Sequence, residues 1–389
     1  MSAVQGREAV RQALSDPVPG QYDGILAVGK AAASMTLGAL DVMPKTRQGL
    51  VITKYQHTED ELRHHGGIRI IESAHPVPDE NSLEAGKAVV EFVSTLAPHS
   101  RLLVLVSGGA SSLVEQLPDS LVLNDLQTLN KVMLAKGWDI HRMNRFRSHL
   151  SRIKAGKLWH NFKGQQIDVL AISDVQGDSI EVIGSGIGCP QSVDLGQIEW
   201  PDENLKGLQS KLLPSTMENR GSFSSTVEIV ASNQIARDAA VDYARESGFN
   251  IQCNCESLYD DYVVCAKTIV NTLKAGGSGY YIWGGEPTVT LPETPGEGGR
   301  NQALALSIAT RVRDLQGIHV LCAGTDGTDG PTNAAGALIN CRTVENPDDA
   351  EAALAGADSG RYLKSRNALF VSGPTGTNVM DLVIAFKES

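Results

Sequence analysis

Five polar residues in the last third of the chain, Glu286, Arg300, Asn301, Asp326 and Asp329, are of the types that handle anions and hard cations. They lie in two blocks, GGEPTVTLPETPGEGGRN at 284–301 and CAGTDGTDGPTNAAGA at 322–337. Each block begins where an apolar run stops, YYIW at 280–283 and HVLCA at 319–323. A short apolar run that ends in glycine and a carboxylate reads as a buried strand delivering polar groups to its C-terminal edge. In open α/β sheets that edge is where ligands sit. Carboxylates suit a hard cation such as Mg²⁺, and Arg suits phosphate or carboxylate. Together they fit phosphoryl transfer to a small anionic substrate.

Earlier segments carry matching chemistry. Gly24-Ile-Leu-Ala-Val-Gly29-Lys30-Ala31 formally spells G-x-x-x-x-G-K. Its four intervening residues are a strand, not a loop that wraps phosphates, and Ala31 lacks the hydroxyl needed by Mg²⁺. What remains is a strand, then Gly29-Lys30, then an Ala-rich helix, with Lys30 at a helix N-terminus that favours anions. In LLVLVSGGASSL at 102–113, Ser107, Gly108, Gly109 and Ser111 let the backbone approach a ligand, and successive N–H groups form an anion-holding concavity. The basic stretch 143–158 places Arg147 and Lys154 seven residues apart, on one face if the segment is a helix, as a local anion contact in an acidic chain. Asp174, in AISDVQGD at 171–178, follows another strand and suits either Mg²⁺ or the proton of an attacking hydroxyl.

Other signals are weaker. Gly184-Ser185-Gly186-Ile187-Gly188 lacks the compact βαβ unit that a dinucleotide fingerprint needs, and Ser107 is not set in G-x-S-x-G. His64-His65 and Cys253/Cys255 have no further ligands at metal-site spacing. If the cysteine segment is a strand, both thiols share a face. His75 precedes Pro76 in an extended segment.

The elements that must position these residues form a repeating pattern. Apolar runs at 25–28, 50–53, 68–71, 102–106, 168–172 and 227–231 alternate with Ala-rich or Leu-periodic segments, the signature of a parallel sheet covered by helices. One helix is punctuated by Asn124 or Asp125 at its start, a Leu126, Leu129, Val132, Met133 stripe, and Gly137 at its end. The stretch from about 190 to 225 has weak periodicity and reads as an excursion or linker. With 389 residues, two domains are expected, with a boundary in 225–275 and an assignment of 1–230 and 231–389. The formal charge, 34 − 45 = −11, argues against nucleic acid or an anionic membrane as partner. No secretory signal and no apolar run of membrane-spanning length is visible, so a cytosolic protein is expected.

Nine blocks in consistent order carry a family resemblance: AVGKAA (27–32), AHPVPDENS (74–82), LVSGGASSL (105–113), HLSRIKAGKL (149–158), ISDVQGD (172–178), GGEPTV (284–289), GGRNQALAL (298–306), GTDGTDGPTNAAGA (324–337) and GPTGTN (373–378). In these the chain resembles the class II glycerate kinases, glycerate 2-kinases whose C-terminal part is called the MOFRL domain. The resemblance implies an α/β enzyme of two α/β domains. The first would hold a Rossmann-like parallel sheet and the second a mixed sheet of MOFRL type, with the active site in the cleft between them. It further implies ATP and Mg²⁺ as cofactors, D-glycerate as substrate, and phosphorylation at the 2-hydroxyl; a homodimer stays open.

By motif, Lys30 and Arg300 are expected to be catalytically important, neutralising charge on the transferring phosphoryl group. Arg147 and Lys154 would hold phosphate or the glycerate carboxylate, with Ser107, Gly108, Gly109, Ser111, Asn301 and Asn378 as further binding residues. Glu286, Asp326 or Asp174 would hold Mg²⁺, and Asp174 or Asp329 would orient the hydroxyl. Where the family commonly reads Ser-Gly-Pro, this chain has Ser185-Gly186-Ile187, which leaves the preference among small 2-hydroxy acids open. Two other readings compete: a hydroxypyruvate reductase using NAD(P)H, and a ligand-binding regulator that has lost turnover.

Overall fold

The computed structural model describes residues 2–15, 22–44, 46, 48–138, 140–191 and 223–388, which form two compact units. One runs from Gln5 to Val230; the other starts at Ala231 and includes the 3-10 turn Ser2–Val4. The weakly periodic stretch anticipated as a linker lies largely outside the described residues.

The first unit is built on β1 (Gly24–Val28), β2 (Gly49–Lys54), β3 (Ile68–Ser73), β4 (Arg101–Val106), β5 (Gln166–Ile172) and β6 (Ser224–Ala231), in the sheet order β3-β2-β1-β4-β5-β6. The pairs among β1 to β5 are all parallel. All of β1 is buried, as are β2, β4 and β5 but for one end residue each, which is why these strands read as unbroken apolar runs. Strand order reverses between β1 and β4, so the loops leaving those two strands flank a topological switch point.

The helix Ala32–Val42 that follows β1 is buried on every side from Ala32 to Leu40. Its small residues allow this: a Cβ at Gly38 would run into the Arg7 carbonyl of the helix Gly6–Ala13 laid across it. The helix Leu123–Ala135 starts earlier than its polar residues suggested. Asp125 lies inside the first turn and its carboxylate accepts the Val122 N–H at 3.1 Å. Gly137 ends the helix with φ +67°, and the Trp138 N–H returns to the Met133 carbonyl.

The second unit holds β7 (Ile251–Leu258), β8 (Gly279–Gly285), β9 (Ile318–Gly324), β10 (Gly336–Asn340), β11 (Leu369–Phe370) and β12 (Asp381–Lys387), ordered β11-β10-β9-β12-β8-β7. Only β7 and β8 run parallel; the other neighbours are antiparallel. Tyr281, Trp283, Val320, Cys322, Val383 and Ala385 alternate along three strands and share one buried core with residues of the helices Tyr262–Ala275 and Arg300–Arg311. β12 sits between β8 and β9 and runs against both. Its first residue, Asp381, therefore pairs with their last, Gly285 and Gly324. Cys253 and Cys255 share a face of β7, with Sγ atoms 3.1 Å apart. Among the described residues no helix is long and apolar enough to cross a membrane.

Candidate active site

In the first unit the loops after β1, β3, β4 and β5 bring Lys30, His75, Gly108–Gly109 and Asp174 to the carboxyl edge of the sheet. Gly29 adopts φ +138° and lies so close to Ser107 that no side chain fits between them. The Lys30 N–H donates to the Gly108 carbonyl at 2.9 Å, and the Ala31 N–H to Ser107 Oγ at 3.1 Å. These bonds fix where the Lys30 side chain starts. They also use the hydroxyl of Ser107, which is buried and supports the turn, rather than a ligand, in this arrangement. Ser111 is partly exposed at the start of the following short helix.

Glycine is required at both central loop positions. A Cβ on Gly108 would overlap the Asp174 carboxylate. Gly109, at φ +85°, is flanked by His75 and by the stem of Lys30, each about 3 Å from where a Cβ would sit. Burial, then the charges of Lys30, Lys54 and His57, push the His75 pKa down to about 4. The imidazole is therefore neutral at pH 7.

The basic stretch departs from expectation. The helix Ile140–His149 ends before Lys154, and Ala155 and Gly156 take positive φ, so Arg147 and Lys154 do not share a helix face. Lys154 is 1% exposed and its ammonium is bonded to Glu115, itself fully buried. It is thus not presented to a ligand, and the expectation of a phosphate or carboxylate contact is corrected for this residue. Lys157 Nζ donates to the Ser148 and Ser151 carbonyls at 2.7 and 3.2 Å. Arg147 donates from Nε to Asn130 Oδ1 at 2.8 Å and remains partly exposed.

In the second unit Arg300 opens the helix Arg300–Arg311 and is gripped by two carboxylates. Nε and Nη2 donate to Asp381 Oδ2 and Oδ1 at 2.6 and 3.1 Å, and Nη1 meets Glu286 Oε1 at 2.7 Å. Burial opposes the guanidinium charge, but Asp381 and Glu286 outweigh it and raise its pKa. Among the described residues three of the five guanidinium N–H groups are used, leaving two donors. Glu286, expected at the metal, is instead a partner of Arg300 here.

Asp326, just past β9, is half-exposed; Oδ1 accepts from the Thr328 N–H and hydroxyl at 2.9 and 3.0 Å. That oxygen and Asp381 Oδ1 lie 3.4 and 3.5 Å from the point a Cβ on Gly324 would occupy. Asn378 is half-exposed and its Oδ1 accepts from the Met380 N–H at 3.3 Å. Among the described residues no set of three or more His, Cys, Asp or Glu side chains could hold a metal ion by itself.

Asp329 has a structural task in place of the expected contact with a substrate hydroxyl. Its oxygens accept the Asn301 and Gln302 N–H groups at 3.0 and 2.8 Å, closing the start of the Arg300 helix. Gly299 cannot be larger, because a Cβ there would overlap this carboxylate. Asn301 is buried behind it, Nδ2 at 3.4 Å from Asp329 Oδ1 and its own Oδ1 without a partner among the described residues.

Burial, against the two N–H bonds, raises the Asp329 pKa to about 6. The folded state thus binds the proton more tightly than the unfolded chain, whose Asp titrates near 3.9. The stabilisation is complete below pH ~4 and is lost as pH rises through ~6, on the order of 3 kcal/mol. Groups that titrate in both chains, His75 among them, cancel in the difference between wild type and Asp329→Asn, so urea unfolding from pH 4 to 7 is expected to show that difference in stability falling by this amount as pH rises.

Asp381 and Glu115 had no place in the reading of the sequence. Asp381 was signalled by a carboxylate that begins an apolar run, DLVIAF at 381–386. Glu115 was signalled by a charge inside an apolar segment, SLVEQL at 112–117.

Family models match two segments: a domain of unknown function (DUF4147) over residues 1–199 and the MOFRL family over residues 279–381. The chain is 35% identical over 378 residues to a D-glycerate 2-kinase of Thermotoga maritima, covering 92% of this chain and 89% of the relative. It is 33% identical to a glycerate 2-kinase of Pyrococcus horikoshii, covering 94% and 87%. A crystal structure of glycerate kinase from Thermotoga maritima superposes with a TM-score of 0.84 at 33% identity, covering 99% of this chain and 96% of that one.

Proposed function

Because this chain belongs to the MOFRL-containing family of glycerate 2-kinases, we propose that it transfers the γ-phosphoryl group of ATP to the 2-hydroxyl of D-glycerate, giving 2-phosphoglycerate and ADP. The observation that carries this reading is similarity along nearly the whole chain to a D-glycerate 2-kinase. Lys30 at the switch point and Arg300 beyond β8 supply the cations this chemistry needs.

Phosphoryl transfer asks a protein for positioning and charge stabilisation more than for covalent chemistry. Lys30 and Arg300 would neutralise charge on the transferring group. Arg300 arrives with its orientation fixed by Asp381 and two donors to spare. Gly108, Gly109 and Ser111 remain candidate substrate contacts, as do Arg147, Asn301 and Asn378, of which Arg147 and Asn378 are partly exposed.

The residues present fit Mg²⁺ in the form such ions usually take, bound mainly by substrate phosphates with one or two carboxylates. Asp326 Oδ2 makes no hydrogen bond among the described residues and would provide one contact; Asp174 would provide the alternative. The ion would supply charge neutralisation between the phosphates.

The first turn after β1 argues against the reductase. A dinucleotide pyrophosphate needs the N–H groups at this helix start, but those of Lys30 and Ala31 are already bonded to Gly108 and Ser107. The deciding assay combines the protein with ATP, Mg²⁺ and D-glycerate and identifies the product. We expect 2-phosphoglycerate; 3-phosphoglycerate alone, or no phosphoglycerate, would refute the assignment. Oxidation of NAD(P)H by hydroxypyruvate would revive the reductase.

A further inference from the structure

Among the described residues, His75 is the one partly buried polar side chain of the segment AHPVPDENS that the fold does not use; Glu80 is exposed. Asp79 Oδ1 accepts the N–H and the hydroxyl of Ser82, each at 3.0 Å, and the Ala74 N–H at 3.3 Å; the Asp79 N–H returns to Ser82 Oγ at 3.1 Å. Asp79 Oδ2 takes the Tyr55 hydroxyl at 2.6 Å. Asn81 donates to the Glu72 carbonyl at 3.0 Å. These bonds pin the residues on both sides of His75 to β3 and to the start of the helix Glu80–Thr95. His75 itself makes no side-chain hydrogen bond within the described residues.

Its position is equally defined. Cδ2 and Nε2 of His75 lie 3.0 and 3.3 Å from the place of a Cβ on Gly109, and Lys30 Cγ lies 3.1 Å from the same point. The imidazole edge and the Lys30 stem thus meet over a glycine loop at the switch point, and Asp174 lies against Gly108, the next residue of that loop. A partly exposed imidazole held rigidly by its backbone, with no structural bond to its ring, beside a cation suited to phosphate, is placed to serve a substrate.

We propose that His75 is a catalytic residue whose Nε2 accepts the proton of the substrate hydroxyl as that oxygen attacks the γ-phosphorus of ATP. This rests on the kinase reading given above. The oxygen–phosphorus bond forms while the bond from the γ-phosphorus to the β,γ-bridging oxygen breaks. The bridging oxygen leaves with the electron pair as part of ADP. The proton becomes the second N–H of an imidazolium and is then released to water.

The charged and titratable groups around the ring keep it unprotonated before the hydroxyl proton arrives. Lys30 after β1, Lys54 at the end of β2 and His57 after it all disfavour the imidazolium, as does burial. The ring therefore carries a free lone pair at neutral pH, and the same cations hasten release of the proton once accepted. Asp174, across Gly108, is the carboxylate on this edge that competes for the role.

His75→Ala, His75→Gln and Asp174→Asn test the proposal with D-glycerate and MgATP. If the wild type makes no 2-phosphoglycerate, the kinase reading fails, whatever His75 does. With an active wild type, His75→Ala and His75→Gln are expected to lose kcat by about 10²- to 10⁴-fold, the range for removing a general base. KM for ATP and the melting temperature should be unchanged. Added imidazole should restore turnover to His75→Ala saturably, without affecting the wild type. Should His75→Ala not fold, His75→Gln decides. Turnover within about threefold of wild type in a folded His75 variant would overturn the proposal. A deep loss in Asp174→Asn, with no imidazole rescue of a folded His75→Ala, would overturn it too.

Discussion

Lys30→Ala and Arg300→Ala are each expected to lower kcat by about 10²-fold or more, as removal of a cation that stabilises a transferring phosphoryl group should. The two variants should differ in stability. Lys30 forms no ion pair among the described residues, so its loss should leave urea unfolding unchanged while turnover falls. Arg300 is the cationic partner of Asp381, which is fully buried. Removing it leaves a buried carboxylate without its counter-charge, which costs roughly 3 kcal/mol, at the low end for broken buried pairs because Arg300 is itself a third exposed. Arg300→Ala/Asp381→Asn should recover most of that stability and none of the activity. Wild-type-like turnover in either single variant would remove that residue from the mechanism.

Asp381 also marks what could be read from the sequence and what could not. The eight anticipated apolar runs lie within β1 to β6, β8 and β9; β1, β2, β4, β5 and β8 are buried on both faces and so leave a continuous hydrophobic trace. The rule applied to them looked for polar residues where a strand ends. That rule finds Lys30, Ser107, Asp174, Glu286 and Asp326, since each follows a strand into the same edge of its own sheet. It misses Asp381, which reaches the edge from the other direction at the start of the antiparallel β12. Strand direction depends on pairing partners far away in sequence, and no local pattern encodes it. His75 was visible as a residue, but its proximity to Lys30 depends on β3 and β1 lying in one sheet with β2 between them.

The basic stretch failed for a different reason: charge spacing was read as helix geometry, while the helix stops at His149 and Lys154 turns inward. Three cations, Arg147, Lys154 and Lys157, lie within the field of Glu115, and burial lowers the pKa of each against its pull. Glu115→Gln removes the only carboxylate among the described residues that acts on all three, and with it the partner of a fully buried ammonium. We expect a loss of about 3–5 kcal/mol, read by urea unfolding of the intact chain. A deletion of both charges should behave otherwise, because apolar groups of similar volume often replace a buried ion pair at no cost. Glu115→Leu/Lys154→Met is therefore expected within about 1 kcal/mol of wild type. Its kcat should stay within a few-fold of wild type, since the Lys154 ammonium is occupied by Glu115 and not offered to substrate. A folded double variant with turnover reduced as deeply as in Lys30→Ala would instead return Lys154 to the anion-binding role its spacing suggested.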